Sequence, residues 1–293
     1  MEKKRKRRWG DRSDGRRLRS LDPINAIMPF ILKTRTSSSN NFSDSIEISE
    51  AERFLRKKRT EGYPGLGYLH LFIAAYIRVS SQYPGVNRFI SGQRVFARNN
   101  IEFVMVVKKG MSIDAPETSI KVAFNPRDTV IDVYDRLNIE IKKAREERES
   151  NAALTIARTF LKLPRILLKF AIFLLEVMDY FGFMPKSIIN ASPFHGSIFV
   201  TDLGSIGLPP VYHHLYDFGN MPVFIALGVK RKVNELTATG EVRQRRYIDY
   251  KVVMDERICD GFYFSQATKV FKNLVCRPHL LMTPPETVVE DID

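Results

Sequence analysis

Between Tyr68 and Gln82, apolar residues return every three or four positions (Leu69, Leu71, Phe72, Ala75, Tyr76, Val79). This spacing predicts a helix with one face in a core, closed by Pro84 and Gly85. A second stripe, Val130, Ile131, Val133, Tyr134, Leu137 and Ile141, predicts a long helix from Asp128 to Glu149, its charged end from Lys142 onward in solvent. Glu50 to Lys58 has helical spacing and many charges, and Phe262 to Val275 reads as a further helix. Short apolar runs predict strands at Glu102–Lys108, Ser119–Phe124, Ile198–Leu203, Val223–Val229 and Tyr247–Met254, and Ser45–Ile48 alternates as a short strand. Gly62 to Gly67 is turn chemistry and Ser37 to Asn41 a polar loop. No repeat is visible. Periodicity alone therefore gives a mixed α/β class.

Pro164 to Phe183 breaks the pattern. It is very apolar, yet Arg165, Lys169, Glu176 and Asp179 fall in a narrow arc at helical pitch. A spanning helix needs roughly 20 predominantly apolar residues, and the longest uncharged run here is Phe170 to Leu175. Pro164 suits a first helical position. Two readings stay open: a helix buried on three sides in a core or subunit contact, and an interfacial helix lying on a membrane.

Composition narrows the picture. With 293 residues, 44% of them apolar, the chain can form one large domain or two small ones. The net charge of +13 is uneven. Residues 1–20 hold Lys3, Lys4, Arg5, Lys6, Arg7, Arg8, Arg12, Arg16, Arg17 and Arg19 against Glu2, Asp11 and Asp14. This reads as a solvated basic arm, with attraction to an anionic membrane surface as its sharper use. Nucleic acid is disfavoured, because no aromatic-rich basic sheet or helix-turn-helix signature accompanies the charge. The start lacks the apolar core of a secretory signal. Cys259 and Cys276 show neither a pairing pattern nor a zinc pattern, which fits a reducing cytoplasm.

Two stretches carry candidate chemistry. One is Asp255-Glu256-Arg257-Ile258-Cys259-Asp260-Gly261, between a strand and a helix. The other is Ser197 to Gly207, where a strand with a hydroxyl at Thr201 runs into a turn bearing Gly204 and Gly207. Phe199, Thr201, Leu203, Gly204 and Gly207, followed by the apolar Phe224 to Gly228, resemble in order the catalytic domain of the dihydrolipoyl acyltransferases of 2-oxoacid dehydrogenase complexes and of chloramphenicol acetyltransferase. Asp255, Asp260 and Gly261 match that superfamily's Asp/His-His-x-x-x-Asp-Gly signature, and Pro84 to Phe89 resembles the segment after its early helix. The resemblance covers roughly residues 20 to 280.

The resemblance implies a two-layer α+β acyltransferase fold with a mixed sheet, assembled as a homotrimer. It implies a catalytic domain at 21–281, flanked by the basic arm at 1–20 and an acidic, exposed tail at 282–293, with 164–183 as an apolar insertion. It implies acyl transfer from coenzyme A to a small thiol, hydroxyl or amine, with no metal, in a site between subunits. No lipoyl-type module is read in the chain, so a free-standing trimer is expected rather than a larger cage. Carried over, Thr201 is the oxyanion donor, Asp260 a structural carboxylate, and Gly261 and Gly204 the turn glycines. Glu256 departs from the pattern, standing where the family has its catalytic histidine. Against a thiol near 8.5, histidine at about 6.5 leaves a proton transfer about two units uphill, and glutamate at about 4.3 leaves about four. Burial raises a carboxylate and would restore a usable base. His195, His213 and His214 are candidate substitutes. A non-catalytic trimer that binds a ligand or partners is the alternative, and a membrane- or nucleic-acid-associated protein using the arm is another.

Overall fold

The computed structural model describes residues 7–110, 112–146, 155 and 158–293. Its main body is a six-stranded mixed sheet. The strands are β2 (Ser39–Glu47), β5 (Ile101–Lys108), β6 (Glu117–Phe124), β7 (Ile198–Asp202), β8 (Val223–Leu236) and β9 (Val242–Asp255), in the order β2-β9-β8-β7-β5-β6. β5, β7 and β8 are parallel neighbours, and the other pairs are antiparallel. A smaller sheet, β1-β4-β3, is built from β1 (Gly15–Arg17), β3 (Arg88–Ser91) and β4 (Arg94–Arg98).

Alternation along the strands divides the large sheet into two unlike faces. Ile198, Val200, Ile225, Leu227, Tyr250 and Val252 join the main core, together with Leu71 and Ala75 of α3 (Tyr68–Gln82), Val133 and Leu137 of α4 (Val130–Glu146), and Phe271 and Leu274 of α7 (Gly261–Cys276). On the opposite face Val104, Phe199, Phe224 and Val253 form a second, small cluster under Leu215 and Met221 of the long connection before β8. Helix α2 (Ser49–Thr60) buries Ala51 and Leu55. A helix the apolar pattern did not reveal, α1 (Pro23–Ile31), is capped by Asp22 and leaves Ile24, Ile27, Phe30 and Ile31 exposed.

The sequence reading is refined at several places. The helix read to Glu149 is described only to Glu146, and residues 147–149 lie outside the described set. Ser39 to Asn41, read as part of a polar loop, opens strand β2, because this polar run pairs along β9 at the sheet edge.

Residues 7–20 are not a free arm. β1 pairs with β4, and Arg12 is buried, bonded to Asp14 (2.9 Å) and Asp179 (2.6 Å). The C-terminal residues are likewise strapped down. Val289 N–H donates to Ser81 O (2.8 Å), Arg88 Nε to Asp291 Oδ2 (2.8 Å) and Arg19 N–H to Asp293 O (2.8 Å).

The apolar segment forms α5 (Arg165–Phe181) and is buried along one side only. Leu168, Ala171, Leu175 and Met178 are partly covered and Asp179 is the one buried residue, while Ile166, Phe170, Phe173 and Phe181 are exposed. Asp179 holds the helix down from its polar arc: it accepts from Arg12, and its carbonyl accepts from Ser91 Oγ (2.9 Å). A short helix, α6 (Lys186–Ala191), leads from α5 towards β7. No helix among the described residues is long and apolar enough to cross a membrane.

Candidate active site

The signature turn leaves the sheet at the end of β9 and is locked by its own ion pair. Asp255 is fully buried and takes Arg257 in a bidentate grip, Nε to Oδ1 at 2.8 Å and Nη2 to Oδ2 at 2.7 Å. Arg257 Nη1 donates to Leu32 O (2.7 Å), which ties the turn to the end of α1. A buried pair with this fork geometry fixes orientation more surely than it adds stability. Between these residues Glu256 stands exposed, its N–H bonded to Ser38 O (3.0 Å). Ile258 and Cys259 return to the core, and burial pushes the Cys259 thiol up to about 12, so it is no thiolate at neutral pH. Asp260 caps α7 by accepting from Tyr263 N (2.8 Å). Among the described residues it has no ion pair. The nearby Arg88 donates to Ile258 O (3.3 Å) and pairs with Asp291. Gly261 does not pack tightly: a Cβ there would meet nothing within 4 Å.

The second stretch behaves as a close-packed turn. Thr201 lies on the small-cluster face with Phe199, opposite Ala226 of β8. Its hydroxyl makes no hydrogen bond among the described residues. Asp202 then accepts from Ser205 N (3.2 Å), and burial raises its carboxyl above the usual range despite that bond. Gly204 is required here, since a Cβ would stand 2.5 Å from Gly228 O of β8.

One chain does not bring Glu256 and Thr201 together. Asp255 N–H bonds Pro222 O, and Thr201 is level with Ala226. Four residues of strand, about 13 Å, and two strand spacings, about 10 Å, therefore put about 16 Å between Thr201 and the strand end that carries Glu256.

The histidines separate. His195 is fully buried, with Nε2 3.3 Å from Asp179 Oδ1 and Nδ1 2.8 Å from Ser192 Oγ. It is enclosed by the core and cannot serve as a substitute base. His213 stacks on Phe224 (4.1 Å between centroids) and His214 on His213 (4.6 Å), extending the Phe199–Phe224 stack (4.9 Å) on the face that carries Thr201. A carbonyl only accepts, so the 2.8 Å contact of His213 Nδ1 with His214 O places a proton on Nδ1. Among the described residues no cluster of three or more His, Cys, Asp or Glu is placed to hold a metal.

A cavity of about 310 Å³ opens beside the turn, lined by Lys33, Arg35, Gln93, Asp217 and Arg257 among others. Arg35, which lines it, was singled out by no motif. It is buried, donates only to the carbonyls of Asp217 (2.8 Å) and Ile90 (2.6 Å), and leaves Nε without a partner. Desolvation brings its guanidinium down to about 10. Glu256 does not line this cavity.

No protein-family model matches the sequence, and no curated protein matches it. Solved structures do match. A probable dihydrolipoamide acetyltransferase from Listeria monocytogenes is similar over 93% of this chain and 99% of its own, with TM-score 0.57 and 14% identity. A dihydrolipoamide acetyltransferase from Azotobacter vinelandii, studied for the part a serine, a histidine and an asparagine play in its mechanism, covers 88% of each chain with TM-score 0.57 and 12% identity. A chloramphenicol acetyltransferase matches 88% of this chain and 99% of its own, with TM-score 0.53 and 12% identity. The chain therefore has the CoA-dependent acyltransferase fold, the mixed α/β architecture implied by the sequence resemblance. At these identities the likeness establishes the fold.

Proposed function

We propose that the chain forms a homotrimer and transfers an acyl group from coenzyme A to a small thiol, hydroxyl or amine, in a site where Glu256 of one subunit meets Thr201 of the next. The observation that carries this reading is the signature turn on this fold. Asp255 and Arg257 lock the turn from beneath and leave Glu256 exposed, where the resemblance puts the family's base. The separation of about 16 Å within one chain and the unbonded Thr201 hydroxyl support completion by a neighbour. Glu256 takes the acceptor's proton, the acceptor attacks the thioester carbonyl, and Thr201 donates to the oxyanion. Collapse breaks the carbon–sulfur bond, and Glu256 returns its proton to the departing sulfur, so CoA leaves as the thiol and the carboxylate is restored.

With a panel of acyl-CoAs and small thiols, free CoA should accumulate, measured by chromatography. Glu256→Gln should lower kcat by about 10²-fold or more, and Thr201→Ala by about 10²–10³-fold. An undiminished rate in Glu256→Gln together with loss in His213→Gln would move the base to His213, whose Nε2 lies on Thr201's face. The alternative is a trimer that binds its ligand without turnover. CoA binding with no CoA release from acyl-CoA would establish that reading instead.

A further inference from the structure

Helix α5 presents apolar side chains that the chain itself leaves uncovered. Ile166 is 80% exposed and Phe170 57%, and Phe173, Leu174 and Phe181 share their side of the helix. Contiguous exposed apolar surface of this kind marks a contact with a protein or a membrane. Its end merges into a cleft of about 790 Å³ that also takes in Trp9, Phe30 of α1 and Phe183. Trp9 is 97% exposed and Phe183 75%. The surface is thus aromatic and crosses three segments distant in sequence.

The charge around it is mainly positive, although Arg8 is already paired with Asp293 (2.8 Å). Arg7, Arg8 and Arg94 line the cleft, and Lys162, Arg165 and Lys169 lie exposed at the start of the helix. Asp11, the acid within the cleft, is turned inward, accepting from Arg8 N (2.8 Å), Arg17 N (3.0 Å) and Arg19 Nη2 (3.1 Å). Burial would raise its carboxyl, but these donors outweigh that and hold it below the usual range, so it stays ionised and internally spent. Glu176 is the exposed acid on the helix.

We propose that this surface docks on an anionic lipid bilayer. Phe170, Phe173, Phe181 and Trp9 would enter the boundary between headgroups and acyl chains, and the surrounding arginines and lysines would pair with lipid phosphates and carboxylates. Apolar and aromatic residues on one side with bases beside them are what such a boundary binds. A second copy presenting the same patch would set these bases against each other, which disfavours a two-fold contact. The helix is held rigidly for the task. Asp179 is fastened to Arg12, and Tyr180 Oη donates to Gln93 Oε1 (2.7 Å).

Trp9 is the only tryptophan, so the protein carries its own probe. The full chain is mixed with vesicles of phosphatidylcholine alone or of phosphatidylcholine with phosphatidylserine. It should float with the anionic vesicles at least tenfold more than with the neutral ones, and Trp9 emission should move to shorter wavelength. Added salt should weaken the binding. Phe170→Asp combined with Phe173→Asp, both at exposed sites, should reduce flotation at least tenfold while circular dichroism and melting are kept. Arg165→Glu with Lys169→Glu should reduce the anionic preference. Absence of flotation with anionic vesicles overturns the proposal, as does undiminished flotation of the phenylalanine variant. So does a phenylalanine variant that loses oligomeric mass without vesicles but floats like the wild type, which would make the face a contact between copies.

Discussion

Asp179 shows how one residue's surroundings set a property of the fold. Burial would raise its carboxyl, but the His195 hydrogen bond and the Arg12 charge prevail and hold it well below the usual carboxylate range. Burial lowers His195 beneath its ordinary 6.5, and Asp179 only partly opposes this. Folded His195 thus stays neutral, donating from Nε2 to Asp179 and accepting at Nδ1 from Ser192, whereas an unfolded histidine takes a proton near 6.5. Below that pH the unfolded state binds more protons, so stability falls with pH at up to about 1.4 kcal/mol per unit. Asp179 adds its own loss only further down, below 3.8. Urea midpoints at about pH 8 and about pH 5.5 should show the first decline. His195→Gln, which cannot titrate, should reduce it at the expense of lower stability at the higher pH, leaving the share of buried His70, which burial also lowers.

At the scale of elements, the clearest joint is between α5 and the β3–β4 turn. Gly92 has φ +52°, and a Cβ on it would lie 2.2 Å from Tyr180 O. Gly92→Ala must therefore move either the turn or the helix end, and we expect it to cost about 1–3 kcal/mol, read as a lowered melting temperature. The amphipathic helices were legible beforehand: α3 has the bounds its apolar spacing predicts, Tyr68 to Gln82. Strands β5 to β9 were legible where they are apolar. β8 and β9 run on as a paired ribbon to Leu236 and Val242 through Lys230–Lys232 and Arg243–Arg246, and those polar halves gave no apolar signal. β2 was half hidden for the same reason. The ordered N-terminal segment was illegible because Arg12 reads as solvent charge until Asp179, 167 positions away, is seen beside it. Of the candidate site, Glu256 and Thr201 could be picked out by motif. Arg35 could not, since what distinguishes it is burial without a carboxylate in contact.

For the whole molecule, the C-terminal strap is a structural part. Arg88 and Asp291 pair with side chains nearly enclosed (12% and 6% exposed), and Asp291 raises the guanidinium despite its burial. Arg88 also reaches the Ile258 carbonyl, so the strap supports the signature turn. Asp291→Ala would leave that guanidinium buried without its partner, and we expect a loss of about 3 kcal/mol, measurable by urea unfolding of the full chain. The fold as a whole gives the sheet one face filled by helices and another where Thr201, His213 and the Phe199–Phe224 stack lie.

The place of β9 between β2 and β8 has a consequence for how the chain reaches this state. Ser39 pairs with Asp255, so β2 waits for β9. During synthesis β2 lacks its ladder partner until Tyr247, the partner of Glu47, has been added, 200 positions later. Closing a loop that long is entropically costly before any ladder bond forms. The insertion of β9 is therefore the natural late step of folding, and a nascent chain stalled before it presents two bare strand edges, β2 and β8, to any other chain it meets.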